Sequence, residues 1–220
     1  MVSSSGINGK KIVLASGSPR RAEILSEFGF DLKIMPASVD EDAILGRGPD
    51  LVSAVQELAL AKASYVAKSN VGEFVLGADT IVVFENEVFG KPESSTEALV
   101  MLTRLSGRRH QVITGVAVVN PTGEYQTKFV STSVVFRNLD DSEISEYVST
   151  GLPLDKAGGY GIQDSSFALV ASYDECYLNV VGLPMCASSD LLEESGFEID
   201  VSLVCAGHAV SGNSDYTESL

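Results

Sequence analysis

Between residues 11 and 205, short apolar runs of strand type alternate with amphipathic runs of helix type, and no linker-length stretch separates them. That alternation confines residues 11–205 to one layered α/β or α+β domain, because strands must pair into a sheet and each helix must bury its stripe on it. Residues 11–15 (KIVLA) read as a short buried strand, and Ser16-Gly17-Ser18-Pro19 turns the chain. Residues 20–28 read as a helix with Ser18 as N-cap, Pro19 at the first helical position and Gly29 at the stop. Residues 32–35 form a second strand, and 51–68 a long helix with Leu51, Val55, Leu58, Lys62 and Val66 on one stripe. Residues 74–76 and 80–84 read as strands around a Gly77-Ala78-Asp79 break, followed by a turn into 87–89. A capping box, Ser94-Ser95-Thr96-Glu97, opens a helix over 94–105. Residues 111–119 and 125–136 make a hairpin through Asn120-Pro121-Thr122-Gly123. A helix over 140–150, a Gly-rich segment 156–163, strands 167–172 and 178–181, a helix 185–194 and a last strand 197–205 complete the order. Hairpins mixed with crossovers predict a mixed sheet.

Residues 1–10 and 206–220 are polar and read as flexible ends. No apolar run reaches the roughly 20 residues of a membrane-spanning helix, and the opening MVSSSGINGKK lacks the apolar region of a secretory signal. A cytoplasmic location, with no membrane partner, is the expectation. Cys176, Cys186 and Cys205 are odd in number with no C-x-x-C pair, so reduced thiols are expected rather than a disulfide framework or zinc ribbon. His110 and His208 have no partner at metal-ligand spacing. The formal net charge of −15 argues against a nucleic-acid partner, whose phosphate chain requires many clustered cations. A small phosphate ligand needs only a few cations focused in one cleft, so each cation counts.

The first such group is Ser16-Gly17-Ser18-Pro19-Arg20-Arg21. Two arginines in the first turn of a helix oppose its dipole, unless an anion sits there among free N–H groups, hydroxyls and guanidinium forks. Lys62 interrupts an apolar stripe, and either snorkels to water or sends its ammonium into a cleft. Asp79 follows buried backbone and must be paired, hydrated or metal-bound, or cap a turn; Thr80 beside it can orient a water or a base edge. Glu41, in Asp40-Glu41-Asp42, belongs to a solvated acidic run or offers a hard oxygen ligand. Gly90-Lys91-Pro92 is not a phosphate-binding P-loop, since Pro92 stands where Ser or Thr is required. Gly159-Tyr160-Gly161-Ile162-Gln163-Asp164 fails the dinucleotide pattern at its last position; its glycines let backbone approach a ligand, and the Gln163 amide can both donate to and accept from a base or sugar.

In order along the chain, Leu14-Ala15-Ser16-Gly17-Ser18-Pro19-Arg20-Arg21, Asp40-Glu41, Ala61-Lys62-Ala63, Gly77-Ala78-Asp79-Thr80, Gly90-Lys91-Pro92, Asp155-Lys156-Ala157-Gly158-Gly159-Tyr160-Gly161-Ile162-Gln163 and Asn179-Val180-Val181-Gly182-Leu183-Pro184 resemble the blocks of the Maf family of nucleotide pyrophosphatases. The resemblance covers roughly residues 11–195. It implies an elongated mixed sheet with flanking helices and two lobes around a central cleft, as in Maf and ITPase proteins. It implies that Asp79 is the catalytic general base, and that Ser16, Arg21, Lys62 and Lys91 bind the substrate phosphates. Arg20, Thr80 and Gln163 match positions of substrate choice, and Glu41 with Asp79 a site for a divalent metal cation, Mg²⁺ or Mn²⁺. The block at 155–163 resembles the branch that hydrolyses dTTP and UTP to the monophosphate and pyrophosphate, limiting incorporation of non-canonical nucleotides. A homodimer is also implied. Asp164-Ser165-Ser166 departs from the glycine that usually follows the glutamine, which bears on base selectivity. A pyrophosphatase for 7-methyl-GTP or another base, and a non-enzymatic nucleotide-binding regulator of cell division, stay open as alternatives. Each of these readings requires the scarce cations to gather opposite Asp79.

Overall fold

The computed structural model describes residues 11–46 and 50–199. Its elements run β1 (Lys11–Leu14), α1 (Pro19–Glu27), β2 (Asp31–Ile34), α2 (Glu41–Leu45), α3 (Leu51–Ala67), β3 (Phe74–Phe84), β4 (Glu87–Phe89), α4 (Ser95–Leu105), β5 (Arg109–Val119), β6 (Tyr125–Phe136), α5 (Asp141–Ser149), β7 (Val170–Tyr173), α6 (Tyr177–Val181) and α7 (Met185–Glu194). Short 3-10 turns lie just before the Gly-rich stretch, at Leu152–Asp155, and within it, at Ala157–Gly159. The strands form one mixed sheet in the order β2-β1-β3-β5-β6-β7, with β4 added to β3. β1 lies parallel to β2 and β3, and every later pairing is antiparallel.

The two faces of the sheet follow from the alternation of side chains along β3 and β5. On one face Val75, Ile81, Ile113 and Ala117 pack against α3 through Val55, Ala59 and Ala63. Val55 and Leu58 are fully buried, and each such side chain contributes about 1.5–3 kcal/mol by leaving water. On the other face Leu76, Ala78, Val116 and Val118 join a core with Ile24, Leu25, Leu183 and Leu191. Further along the same strands, Val82, Phe84 and Val112 join a separate core with Leu102, Leu105 and Tyr147. These two cores sit at opposite ends of β3 and β5 and form the two lobes expected from the resemblance.

β3 is continuous where the sequence suggested a break at Gly77-Ala78-Asp79. Gly77 is there because α3 lies directly on it: a Cβ would stand 2.9 Å from the Ala63 nitrogen. Gly115 does the same on β5, where a Cβ would stand 2.6 Å from the Val55 carbonyl carbon. The glycines thus permit close packing of helix on sheet rather than ending a strand.

Other expectations shift locally. The apolar run 178–181 is a helix, α6, not a strand; a run so short carries no decisive period. The strand expected over 167–172 is β7, which begins only at Val170. Residues 197–199 form no strand, and the rest of the expected strand 197–205 lies outside the described residues, as do the ends 1–10 and 206–220. The acidic run 40–42 enters a helix, with the Asp40 carboxylate accepting from the Ala43 N–H at 3.0 Å. Ser18 occupies the N-cap position of α1, but its side chain makes no cap hydrogen bond. Only half of the box at Ser94 forms: its hydroxyl accepts from Glu97, whose own carboxylate turns to the Glu93 N–H. The reciprocal capping box is at Asp140 and Glu143. Among the described residues no helix is long and apolar enough to cross a membrane.

Candidate active site

The site lies at a notch in the sheet. β1 pairs with β3 only as far as Leu76, while β4 pairs with β3 only from Val82. Between them, on that side, residues 77–81 have no strand partner among the described residues. Asp79 and Thr80 fall in this gap, and strand alternation sends them to opposite faces. Side chains from both faces therefore reach one cleft of about 570 Å³. Ser16, Arg20, Arg21, Glu41, Lys62, Asp79, Thr80, Lys91 and Gln163, scattered through the sequence, all line it.

On the α3 face the Lys62 ammonium donates to Asp79 Oδ1 at 2.6 Å and lies 2.7 Å from Glu41 Oε1. Lys62 therefore does not snorkel to bulk water; its stem is buried along α3 and its head is shared by two carboxylates. Glu41 reaches this point because it opens α2, where a negative charge also suits the helix dipole. Burial pushes the Asp79 carboxyl above the ordinary range, more than the Lys62 and Arg21 charges draw it down. Such a carboxylate holds a proton more readily than an exposed one.

On the opposite face Arg21 is held on three sides. Its Nε donates to the Gly182 carbonyl at 2.8 Å, Nη1 to Ser16 Oγ at 3.0 Å and Nη2 to Thr80 Oγ1 at 3.1 Å. Every partner is a neutral oxygen, so the guanidinium charge stays available to an anion in the cleft. Burial lowers its proton affinity and Asp79 restores part of it. Thr80 and Thr114 hydroxyls share a hydrogen bond of 2.9 Å, and Thr114 in turn donates to the Asn179 carbonyl. These bonds tie α1, β3, β5 and the 179–182 segment into one frame.

Arg20 points to the far wall. Its guanidinium meets the Asp155 carboxylate at 2.6 Å and the Asp155 carbonyl at 3.1 Å. The next residue, Lys156, is buried and donates to the Leu152 carbonyl at 2.6 Å and to Asp155 Oδ1 at 2.8 Å. Its ammonium also lies 3.8 Å from Asp164 Oδ2. Asp164 accepts from the Tyr147 hydroxyl, which itself accepts from the Gly161 N–H at 3.1 Å. That clamp fixes the segment presenting Gln163, whose side chain is exposed to the cleft. Lys91, just past β4, is exposed on the remaining wall. Among the described residues, five lysines and arginines, Arg20, Arg21, Lys62, Lys91 and Lys156, thus line one cleft of an acidic molecule. A polyanion entering there meets focused positive charge and a buried carboxylate at its base.

Residues 11–195 match the family model described as Maf-like protein. The chain belongs to the Maf family. It is similar to the dTTP/UTP pyrophosphatase of Geotalea uraniireducens (strain Rf4), with 45% identity over 84% of this chain and 95% of the relative. A dTTP/UTP pyrophosphatase of Moorella thermoacetica is 47% identical over 86% of this chain and 97% of the relative. Among solved structures, a HAM1 protein from Coxiella burnetii is similar at 16% identity and a TM-score of 0.47, covering 84% of this chain and 100% of that one.

The Maf blocks converge on the cleft, but three charged residues that line it, Asp42, Asp155 and Lys156, have no role in the sequence reading. Asp155 and Lys156 open the 155–163 block, where the one signal in the sequence is a lysine separated from a Gly-Gly pair by a single alanine. The scaffold residues Thr114 and Tyr147 carried no signal, because a hydroxyl in a strand or helix is unremarkable until its partner is known. No group of three or more metal-ligating side chains occurs among the described residues. Glu41 and Asp79 instead approach a single point, each within 2.7 Å of one nitrogen. A pair of carboxylates completed by substrate phosphates suits the way Mg²⁺ is usually held, so the donor set fits a small hard dication.

Proposed function

We propose that this chain is a nucleotide pyrophosphatase that hydrolyses dTTP and UTP to the nucleoside monophosphate and pyrophosphate, by attack of water on the α-phosphorus. The observation that carries the reading is the buried Asp79 carboxylate at the base of a cleft walled by Arg20, Arg21, Lys62 and Lys91. The curated relatives named above supply the base and the bond cleaved. Phosphoryl transfer requires mainly positioning and charge stabilisation, which this residue set provides.

In this reading Asp79 orients the water and accepts its proton, a task favoured by the raised proton affinity that burial gives it. Arg21, fixed by Ser16, Thr80 and the Gly182 carbonyl, presents a charge that need not reorganise as the leaving pyrophosphate forms. Lys62 and Lys91 neutralise the β- and γ-phosphates, and Ser16 offers its hydroxyl beside them. Arg20, Thr80 and Gln163 contact the base and sugar and choose the substrate. Glu41 and Asp79 would hold a divalent cation, Mg²⁺ or Mn²⁺, which supplies Lewis-acid charge to the phosphate oxygens. The role that follows is removal of excess or modified pyrimidine nucleotides, performed in the cytoplasm by a homodimer.

Pyrophosphate release from dTTP, UTP, CTP and 7-methyl-GTP, with and without Mg²⁺ or Mn²⁺, tests the proposal. Turnover should be confined to dTTP and UTP among these and should fall by about 10²–10⁴-fold in Asp79→Asn. Release of orthophosphate in place of pyrophosphate, or full turnover by Asp79→Asn, would refute it.

A further inference from the structure

The Lys62 ammonium occupies the point toward which both candidate metal-binding carboxylates converge. It lies 2.6 Å from Asp79 Oδ1 and 2.7 Å from Glu41 Oε1. Those separations leave no room for a dication on the same two oxygens while the ammonium stays in place. A like-charged neighbour at such a distance is also strongly repelled inside a protein. The position is built, not accidental. Lys62 is buried on the face of α3 whose neighbouring turns, at Ala59 and Ala63, lie against Gly77. That packing holds α3 on the sheet, and the Lys62 head lines the cleft, so a head that leaves the carboxylates has the cleft to move into. There the phosphate-facing groups Ser16 and Arg21 stand on the other wall.

We infer that Lys62 is an exchangeable counter-ion: it neutralises Glu41 and Asp79 in the nucleotide-free protein, and transfers to a substrate phosphate when the nucleotide brings the divalent cation in. This rests on the reading that Glu41 and Asp79 hold that cation. Without Lys62, the nucleotide-free protein would carry two adjoining carboxylates, one of them buried, with no cation between them. With it, the free protein binds the metal poorly, and metal and nucleotide enter together. One side chain thereby couples the two ligands, and the carboxylate that must act on water is kept paired until a substrate arrives. Lys62 is a positioning residue in the free state and a phosphate ligand in the loaded one.

The test is Mn²⁺ binding, followed by the electron paramagnetic resonance signal of free Mn²⁺, to the wild-type protein and to Lys62→Met. Each protein is titrated alone and with α,β-methylene-dTTP, which cannot be cleaved at the α-phosphorus. Without nucleotide, Lys62→Met should bind Mn²⁺ tighter than wild type by on the order of tenfold or more, because a positive charge has left the site. Lys62→Arg, which keeps the charge, should bind as weakly as wild type. A circular-dichroism melt checks folding, and Lys62→Gln replaces Lys62→Met in the comparison if the latter does not fold. Equal nucleotide-free affinities in wild type and the uncharged variant would overturn the exchange while leaving the metal reading intact. Absence of Mn²⁺ binding in every protein, with and without the analogue, would remove the metal reading and the exchange with it.

Discussion

Gly115→Ala is the substitution through which the architecture of the site can be tested from a distance. Gly115 stands beside Asp79 in the β3–β5 register, on the face covered by α3. A Cβ there would lie 2.6 Å from the Val55 carbonyl carbon and 2.9 Å from the Gln56 nitrogen, where ordinary contact begins near 3.4 Å. The obstacles are backbone atoms, so no side chain can rotate away, and α3 or β5 must move by about 1 Å at a cost of roughly 1–3 kcal/mol. For a domain of this size that lowers Tm by about 2–12 °C. Lys62 is seven residues beyond Val55 on α3, about two turns, so the same movement displaces the ammonium relative to Asp79. A displacement of about 1 Å in such a constellation lowers kcat by up to about 100-fold. Differential scanning calorimetry and steady-state dTTP hydrolysis read the two effects together. Gly90→Ala is the control: a Cβ there meets nothing within 4 Å, and its Tm should stay at the wild-type value. An unchanged Tm in Gly115→Ala would refute the close approach of α3 to the sheet. A lowered Tm with undiminished kcat would refute the claim that this packing positions Lys62.

Two further outcomes follow from the geometry. His110 is buried against Tyr160, and burial pulls its pKa from 6.5 down to about 4. The folded protein therefore binds fewer protons than the unfolded chain between those values, so stability contributed by neutral His110 is present above pH 6.5 and is lost as pH falls towards 4. Relative to His110→Gln, which is blind to this titration, wild type should lose up to about 3 kcal/mol more across that window; parallel urea-denaturation curves at each pH would contradict it. Tyr147→Phe removes the hydroxyl that joins Asp164 to the Gly161 N–H, loosening the segment that presents Gln163. The KM for dTTP should rise by about 3–10-fold with a smaller change in kcat, because substrate placement is lost rather than chemistry, and an unchanged KM would sink the positioning role.

Elements with strong local signals were legible from the residues alone. The KIVLA strand, the α1 helix opened by Pro19, the long α3 and the hairpin at Asn120-Pro121-Thr122-Gly123 each carry their own period and punctuation. The charged residues worth locating were legible too, because an acidic chain has few cations and several stand in conspicuous places, such as Arg20 and Arg21 at a helix start. Gly77 does not show its role in the sequence for a physical reason: a glycine that lets another backbone approach looks, in one dimension, like a glycine that ends a strand. The helix at Tyr177–Val181 is not legible in the sequence because so short a helix does not show a period.

What the sequence determined by itself was the inventory: most of the elements, and which side chains can hold a phosphate, a cation or a proton. Only the tertiary structure decided which of them meet. The notch between β1 and β4 on β3, the sharing of one Lys62 ammonium by Asp79 and Glu41, and the pinning of Arg20 on Asp155 all join residues far apart along the chain. Local propensity acts over a few residues, whereas pairing register and helix-on-sheet packing act across the whole domain, and it is the latter that bring an acid and its cations to one point.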